Sequence, residues 1–268
     1  MNPLPFDADR VLQQTFVAQV EHHATIASTN DRAIQYATGL RATSQRSAGQ
    51  CGELPLLIVA DCQTAGRGRG RHRWWTGRGS LAMSLLLDAG QPWATDLSSP
   101  PMVALAVGVA LVETLAPKIP SHTVGIHWPN DIMAADRKLA GILVEVLPDR
   151  RHVVGIGINT NNFLHDAPTE LRDTATTLRE LTGEQHDHTR LLIELLGQIE
   201  HAFSQLASAP QQIAARANGR CLQRGRMLTL QSGNRSVRGR CGGIAPDGAL
   251  ILDTPRGRQS YYSGVLLP

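Results

Sequence analysis

The sequence predicts an α+β chain, with a larger unit of mixed strands and helices ahead of a small β-barrel. Three observations predict it. Apolar runs of strand length occur at Leu56 to Asp61, Ser80 to Leu87 and Val153 to Asn159. Helical patterns lie among them: the apolar stretch Met102 to Ala116, and Thr189 to Leu206 with Leu192, Leu195, Leu196, Ile199, Phe203 and Leu206 on one side. Beyond a junction at Gln211 to Arg220, short strand-like pieces are separated by Ser-Gly-Asn, Pro-Asp-Gly and Pro-Arg-Gly, the pattern of a small barrel.

A chain of 268 residues has room for one large domain and one small one, and the division is placed at 1–217 and 218–268. A hydrophobic share of 42% with 18% charged residues is that of a soluble globular protein. The first ten residues carry acids and prolines where a signal peptide would carry positive charge and an apolar run. Met102 to Ala116 is too short to span a bilayer and contains Glu113, so it reads as a buried helix. A cytoplasmic protein without a membrane partner is expected. Cys51, Cys62, Cys221 and Cys241 lie far apart with no ligand spacing, which argues for free thiols rather than zinc or a disulfide framework.

The net charge of +3 hides an uneven distribution, because eight arginines face two aspartates from Asn218 onwards. Only two of the 26 basic residues are lysine. Lys118 sits in a Pro-Lys-Ile-Pro turn and reads as solvated. Lys138 marks a place where a compact ammonium is needed.

In chain order, Ala24 to Ala27 reads as a short strand. Ser28-Thr29-Asn30-Asp31 then caps a helix through Ala33, Ile34 and Ala37 that closes at Gly39. Capping and ligand contact are compatible roles there, since free N–H groups at a helix start suit a polar ligand. Arg41 to Gly52 and Gln91 to Pro101 read as loops. Val124 to Trp128 is a strand ending in the turn Pro129-Asn130-Asp131; Asn130 and Asp131 either close that turn or serve a site. An Asp136-Arg137-Lys138 turn precedes a strand from Leu139 to Val146, which hairpins through Pro148 to Arg151 into Val153 to Asn159. Gly155 and Gly157 inside that last strand signal close approach of a ligand or another backbone. The barrel pieces are Met227 to Leu230, Ser236 to Cys241, Ala249 to Leu252 and Gln259 to Leu267.

The stretch Gln63 to Trp75 alternates Gly66, Gly68 and Gly70 with Arg67, Arg69 and Arg71. Glycine rules out a regular helix or strand, and the guanidinium fork grips carboxylates and phosphates, so this describes a mobile loop that folds over an anion. Such runs also serve RNA binding, with Tyr261-Tyr262 as the stacking pair that reading would need. The position between two apolar strands, closed by Trp74 and Trp75, favours an internal ligand loop.

Four ordered blocks resemble the biotin protein ligases: Ser28-Thr29-Asn30; Gln63 through Trp74; Trp128-Pro-Asn-Asp131 with Arg137 through Glu145; and Gly155-Ile-Gly-Ile-Asn159. The resemblance runs from about Ser28 to the C-terminus. It implies an α/β (α+β) class II synthetase-like ligase fold, with a central mixed sheet flanked by helices and a C-terminal SH3-like β-barrel. It implies ATP-dependent formation of biotinyl-adenylate, then transfer of biotin to a lysine of a biotin carboxyl carrier protein, the biotin domain of acetyl-CoA carboxylase or a related carboxylase. ATP and biotin are the implied substrates, with Mg2+ on the phosphates and metal ligands unassigned.

By position, the resemblance makes Lys138 and Arg69 catalytic. Ser28, Thr29, Asn30, Gln63, Gly66, Arg67, Gly68, Arg69, Lys138 and Gly141 are implied at biotin, and Arg69, Arg71, Trp74, His127, Asn130, Asp131 and Asn159 at the nucleotide. The family usually has lysine where this chain has His127, so a ligase-like protein that binds biotin and activates it weakly is one alternative. A lipoate ligase or octanoyl transferase of the same fold is another. Residues before Val20 are too few for the repressor members' DNA-binding domain, so no DNA partner is expected; a homodimer is left open.

Overall fold

The computed structural model describes residues 6–44, 54–88 and 99–267. Its first seven strands are β1 (Gln19–His23), β2 (Leu56–Ala60), β3 (Leu81–Leu87), β4 (Val124–His127), β5 (Asp131–Ala134), β6 (Arg137–Val146) and β7 (His152–Ile158). They join in the order β1-β2-β3-β7-β6-β5-β4, with β1 and β2 parallel and the other pairs antiparallel, so the central sheet is mixed. Strands β2, β3 and β7 are buried at every position. Covered on both faces, they read in the sequence as unbroken apolar runs.

The helices are α1 (Ala8–Gln14), α2 (Thr29–Ser44), α3 (Pro100–Leu115), α4 (Thr169–Arg172), α5 (Leu178–Thr182), α6 (His188–Ser208) and α7 (Pro210–Gly219). Helices α3, α6 and α7 pack together under one face of the sheet, and α2 covers part of the other. Strand alternation sorts the side chains: Leu57, Val59, Leu85 and Val154 join the α3 core, while Leu56, Ile58, Leu86 and Val153 meet Ala33 and Ala37 of α2. Among the described residues, Pro100–Lys118 has the length and apolarity of a membrane span, but most of it is buried inside the protein.

Strands β8 (Met227–Ser232), β9 (Arg235–Ile244), β10 (Leu250–Thr254), β11 (Gly257–Tyr261) and β12 (Val265–Leu267) make a second, antiparallel sheet in the order β11-β10-β9-β8-β12. Its Leu230, Cys241, Leu250 and Leu252 belong to the same core as α3. Trp128 ties the two sheets together. Its buried indole N–H donates to the Gly248 carbonyl (3.1 Å), and its backbone N–H donates to Gln223 Oε1 (3.1 Å). The segment after α7 runs beside β4, where Ile126 exchanges backbone hydrogen bonds with Arg220 and Leu222.

Several local expectations are corrected. The first strand is Gln19–His23, and Ala24 to Ala27 contributes only the bridge between Ile26 and Gln63. As a half-exposed edge strand, β1 carries the polar pair His22-His23 instead of an apolar run. Helix α2 continues past Gly39 to Ser44. The junction is helix α7, started by Pro210 in its first turn and buried through Ile213, Ala214 and Ala217. Asp131 opens strand β5 rather than closing a turn. The true turn is Ala135-Asp136, both at positive φ (50° and 58°), as a tight two-residue hairpin requires, so Lys138 lies within β6. The last barrel piece is two strands, β11 and β12. Cys62, Cys221 and Cys241 carry free thiols; Cys51, most of the loop around it and residues 91–98 lie outside the described residues.

Candidate active site

On the face shared with α2, the pairing register aligns His127, Asp131, Gly141, Gly157, Ala82 and Ala60 in one row across six strands. Small residues in the middle of that row leave a trough beside α2, bounded at one end by Asp131 and His127. Lys138 reaches the trough through a bulge. The register shifts where Met133 pairs with Lys138, leaving Leu139 unpaired. In a regular strand, Lys138 and Gly141 would point to opposite faces; the extra residue turns the lysine onto the face of Gly141. Its Nζ lies 2.8 Å from Asp131 Oδ1 and 5.6 Å from the Trp74 ring centre. The chain at Lys138 is clamped by Thr174 and Thr176, whose backbones bond to its N–H and carbonyl.

The Arg/Gly stretch is an ordered hairpin over this floor. Gly68 donates to the His72 carbonyl (2.9 Å), Arg67 and Arg73 form a bridge, and Gly70 turns the tip at φ 65°. Trp74 donates its backbone N–H to the Gly66 carbonyl (2.9 Å), and a Cβ at Gly66 would come within 2.5 Å of the Trp74 carbonyl oxygen, so glycine is required there. The Trp74 indole lies on the floor: a Cβ on Gly157 would meet it at 2.2 Å and one on Gly141 at 3.0 Å. Its buried indole N–H has no hydrogen-bond partner among the described residues. The neighbour that requires glycine at position 155 is the Asn30 side chain, 2.1 Å from where a Cβ would be. Both approaches therefore come from side chains, not from another backbone.

The start of α2 closes the other wall. Gln63 Oε1 accepts from the Thr29 backbone N–H (2.8 Å) and lies 3.2 Å from the Thr29 hydroxyl, while Gln63 Nε2 donates to Thr76 (3.1 Å). Ser28, Thr29 and Asn30 are all nearly buried. Buried Ser84 lies 2.7 Å from the Thr29 hydroxyl and 2.6 Å from Asn30 Oδ1.

The cavity, about 360 Å³ and open on one side, brings together most of the residues singled out from the sequence: Ser28, Thr29, Asn30, Gln63, Arg67, Gly68, Arg69, Trp74, His127, Asn130, Asp131, Lys138 and Gly141. Three lie outside its lining. Gly66 supports Trp74 from behind, Arg71 sits exposed near the tip, and Asn159 is buried behind Lys138, its amide 3.4 Å from the Lys138 carbonyl. Sequence reasoning missed Gly264, Val265 and Leu266, where the second sheet supplies part of the wall. The Gly264 carbonyl accepts from Arg69. Nothing near Ser263-Gly264 in the sequence signals this beyond a turn.

The charges at this end are partly shielded. Burial lowers the pKa of Arg69, opposed by the nearby Asp131 carboxylate. Burial also pushes the His127 imidazole below its ordinary value, opposed by Asp131 and assisted by Lys138 and Arg226. His127 is thus neutral near pH 7. Among the described residues no group of three or more His, Cys, Asp or Glu side chains could hold a metal ion. Asp131 already faces Lys138, so the described residues do not build a protein-held metal site.

A mixed sheet carrying a floor of small residues, roofed by an Arg/Gly hairpin and walled by a second small sheet, defines a protein of the biotin and lipoate ligase class. Residues 36–161 match the Biotin/lipoate A/B protein ligase family, and residues 225–265 match the Biotin protein ligase C terminal domain. The biotin--[acetyl-CoA-carboxylase] ligase of Mycobacterium tuberculosis is 34% identical over 206 residues, covering 74% of this chain and 73% of that protein. The bifunctional ligase/repressor BirA of Bacillus spizizenii is 33% identical over 220 residues, covering 77% of this chain but only 64% of the relative's length. In structure, the biotin protein ligase of Aquifex aeolicus in complex with biotin and ATP aligns with a TM-score of 0.76 at 25% identity, covering 93% of this chain and 98% of that one. The chain belongs to the biotin protein ligase family.

Proposed function

We propose that this chain activates biotin with ATP and passes it to a lysine of a biotin carboxyl carrier protein, as a cytoplasmic enzyme of two units divided near residue 218. The observation that carries this reading is the trough itself: a small-residue floor ending at Lys138 and Arg69, two cations that face the acid Asp131. A carboxylate approaching a triphosphate is repelled, and a site that supplies positive charge and alignment relieves that repulsion.

In the first step a biotin carboxylate oxygen attacks the α-phosphorus, the bond to the bridging oxygen breaks, and diphosphate leaves with its electron pair. Ser28, Thr29 and Gln63 hold the head group at the α2 wall, and Gly141 lines the floor where Trp74 and Lys138 close over it. Lys138 and Arg69 stabilise the charge that develops on the phosphoryl oxygens. Trp74 covers the floor beside the nucleotide, with Asn130 and Asp131 at its far end. In the second step the carrier's neutral lysine amine attacks the acyl carbon, AMP leaves, and the new amide loses a proton. The closed hairpin keeps water from the mixed anhydride. ATP enters as its magnesium complex, the ion belonging to the substrate.

The test is biotin-dependent exchange of pyrophosphate into ATP by the purified chain, with lipoate as the control acid. Exchange with biotin alone is the expected result. Exchange with lipoate alone would overturn the substrate, and biotin binding without exchange would make the chain a ligase-like binding protein, the outcome to which a neutral His127 points.

A further inference from the structure

The stretch Arg137 through Glu145 carries Lys138 at one end and an acid, Glu145, at the other. The Glu145 carboxylate receives both arms of the Arg67 guanidinium, Nη1 at 2.9 Å and Nη2 at 2.5 Å, and also the Asn30 amide at 2.7 Å. On the other side of the same guanidinium, Arg67 Nε lies 2.8 Å from Asp31 Oδ1. Asn30 is in turn fixed by the buried Ser84 hydroxyl and by the missing side chain at Gly155. A continuous chain of contacts therefore runs from the sheet interior through Asn30 and Glu145 to the root of the Arg/Gly hairpin.

Electrostatics separates the two arginines of that hairpin. Arg67 faces two carboxylates, Asp31 and Glu145, so its surroundings carry net negative charge and repel a further anion. Arg69 and Lys138 share Asp131, the one acid that lines the cavity among the described residues, and attract one. Exposed ion pairs count for little, and Arg67 and Glu145 retain side-chain exposures of 35% and 26%. What distinguishes this pair is two-point geometry with a third, charge-assisted hydrogen bond holding the carboxylate in place.

We propose that Glu145 is the positioning residue of the Arg/Gly hairpin. By occupying the Arg67 fork it makes Arg67 a brace for the loop, and it leaves Arg69 and Lys138 to meet the substrate carboxylate and phosphates. Glu145 acts through Arg67 and touches no substrate. This rests on the activity proposed above, but the brace itself is testable without it.

Two readouts on the full chain decide it, using Glu145→Gln, Arg67→Gln and the double variant, with Glu145→Asp as a milder check and thermal unfolding to confirm folding. The first is limited trypsin cleavage after Arg69, Arg71 and Arg73, the sites that every variant keeps, with no substrate added. Loss of a charge-assisted bidentate bond should speed cleavage by about tenfold in each single variant, with no further gain in the double. Cleavage unchanged in Glu145→Gln overturns the brace, whatever acid the enzyme uses. The second is pyrophosphate exchange. Glu145→Gln and Arg67→Gln should each raise the KM for biotin about tenfold, with the rate at saturation within roughly threefold of the parent. A lower KM in Glu145→Gln would show Arg67 freed to clamp the substrate, and a much larger loss in Arg67→Gln than in Glu145→Gln would place Arg67 on the ligand; either overturns the proposal. Parent protein without biotin exchange would instead refute the activity, leaving the cleavage result to judge the brace.

Discussion

The floor of the cavity is main chain and small side chains on β3, β6 and β7, locked by the sheet ladder, whereas its roof is a hairpin held by contacts between partly exposed side chains. Beneath the floor lies the α3 core, with Ile156 and Ile158 almost wholly buried. Above it, Arg67, Arg69 and Trp74 are only half-buried. Shape that rests on a cooperative ladder yields only when the sheet does, while a loop held by a few exposed pairs opens at small cost. The division suits the proposed function, in which a rigid floor fits one head group while the roof admits and releases it.

Lys138 belongs to the floor by backbone, and in the proposed reaction its charge meets the ligand, so its removal should give the largest effect. Lys138→Ala should cut biotin-dependent pyrophosphate exchange about a hundredfold or more, with a much smaller change in biotin affinity measured by calorimetry. Equal losses in both would assign the lysine to binding. The floor's rigidity is probed next by Gly157→Ala, whose Cβ would sit 2.2 Å from the Trp74 indole. Overpacking of about 1–3 kcal/mol should lower the thermal midpoint and weaken biotin by about tenfold or more as Trp74 is displaced. An unchanged midpoint would show that the floor has as much slack as the roof.

The smallest effect concerns acid. Burial leads the lowering of the imidazole pKa at His127, His186 and His188. An unfolded histidine takes its proton near pH 6.5, and these take theirs only at lower pH once folded, so the unfolded state binds more protons in that window. Stability should therefore be level above about pH 6.5 and fall as the pH drops through it towards the folded values. Urea midpoints at about pH 7.5 and about pH 5.5 test this, and His188→Gln should reduce the difference. A flat profile would show that these sites open to water more readily than the sheet around them.

Strands β2, β3 and β7 and helices α3 and α6 were legible in the sequence because full burial leaves an apolar signature that needs no partner to be read. The Arg/Gly run and the Ser28-Thr29-Asn30 cap were equally plain, since their chemistry is local. The chain thus specified by itself its class, its main elements and most of the residues around the cavity. Tertiary structure alone decided the rest. The edge strand β1 carries too little apolar content to announce itself, and β5, apolar but four residues long, is too short to show a period. One unpaired residue in β6 turns Lys138 onto the site face, and strand pairing, not composition, determines where that residue falls. Glu145 meets Arg67 across 78 positions, and Gly264 meets Arg69 across 195. Contacts of that range follow from register and from the packing of one sheet on another, which no local pattern of residues encodes.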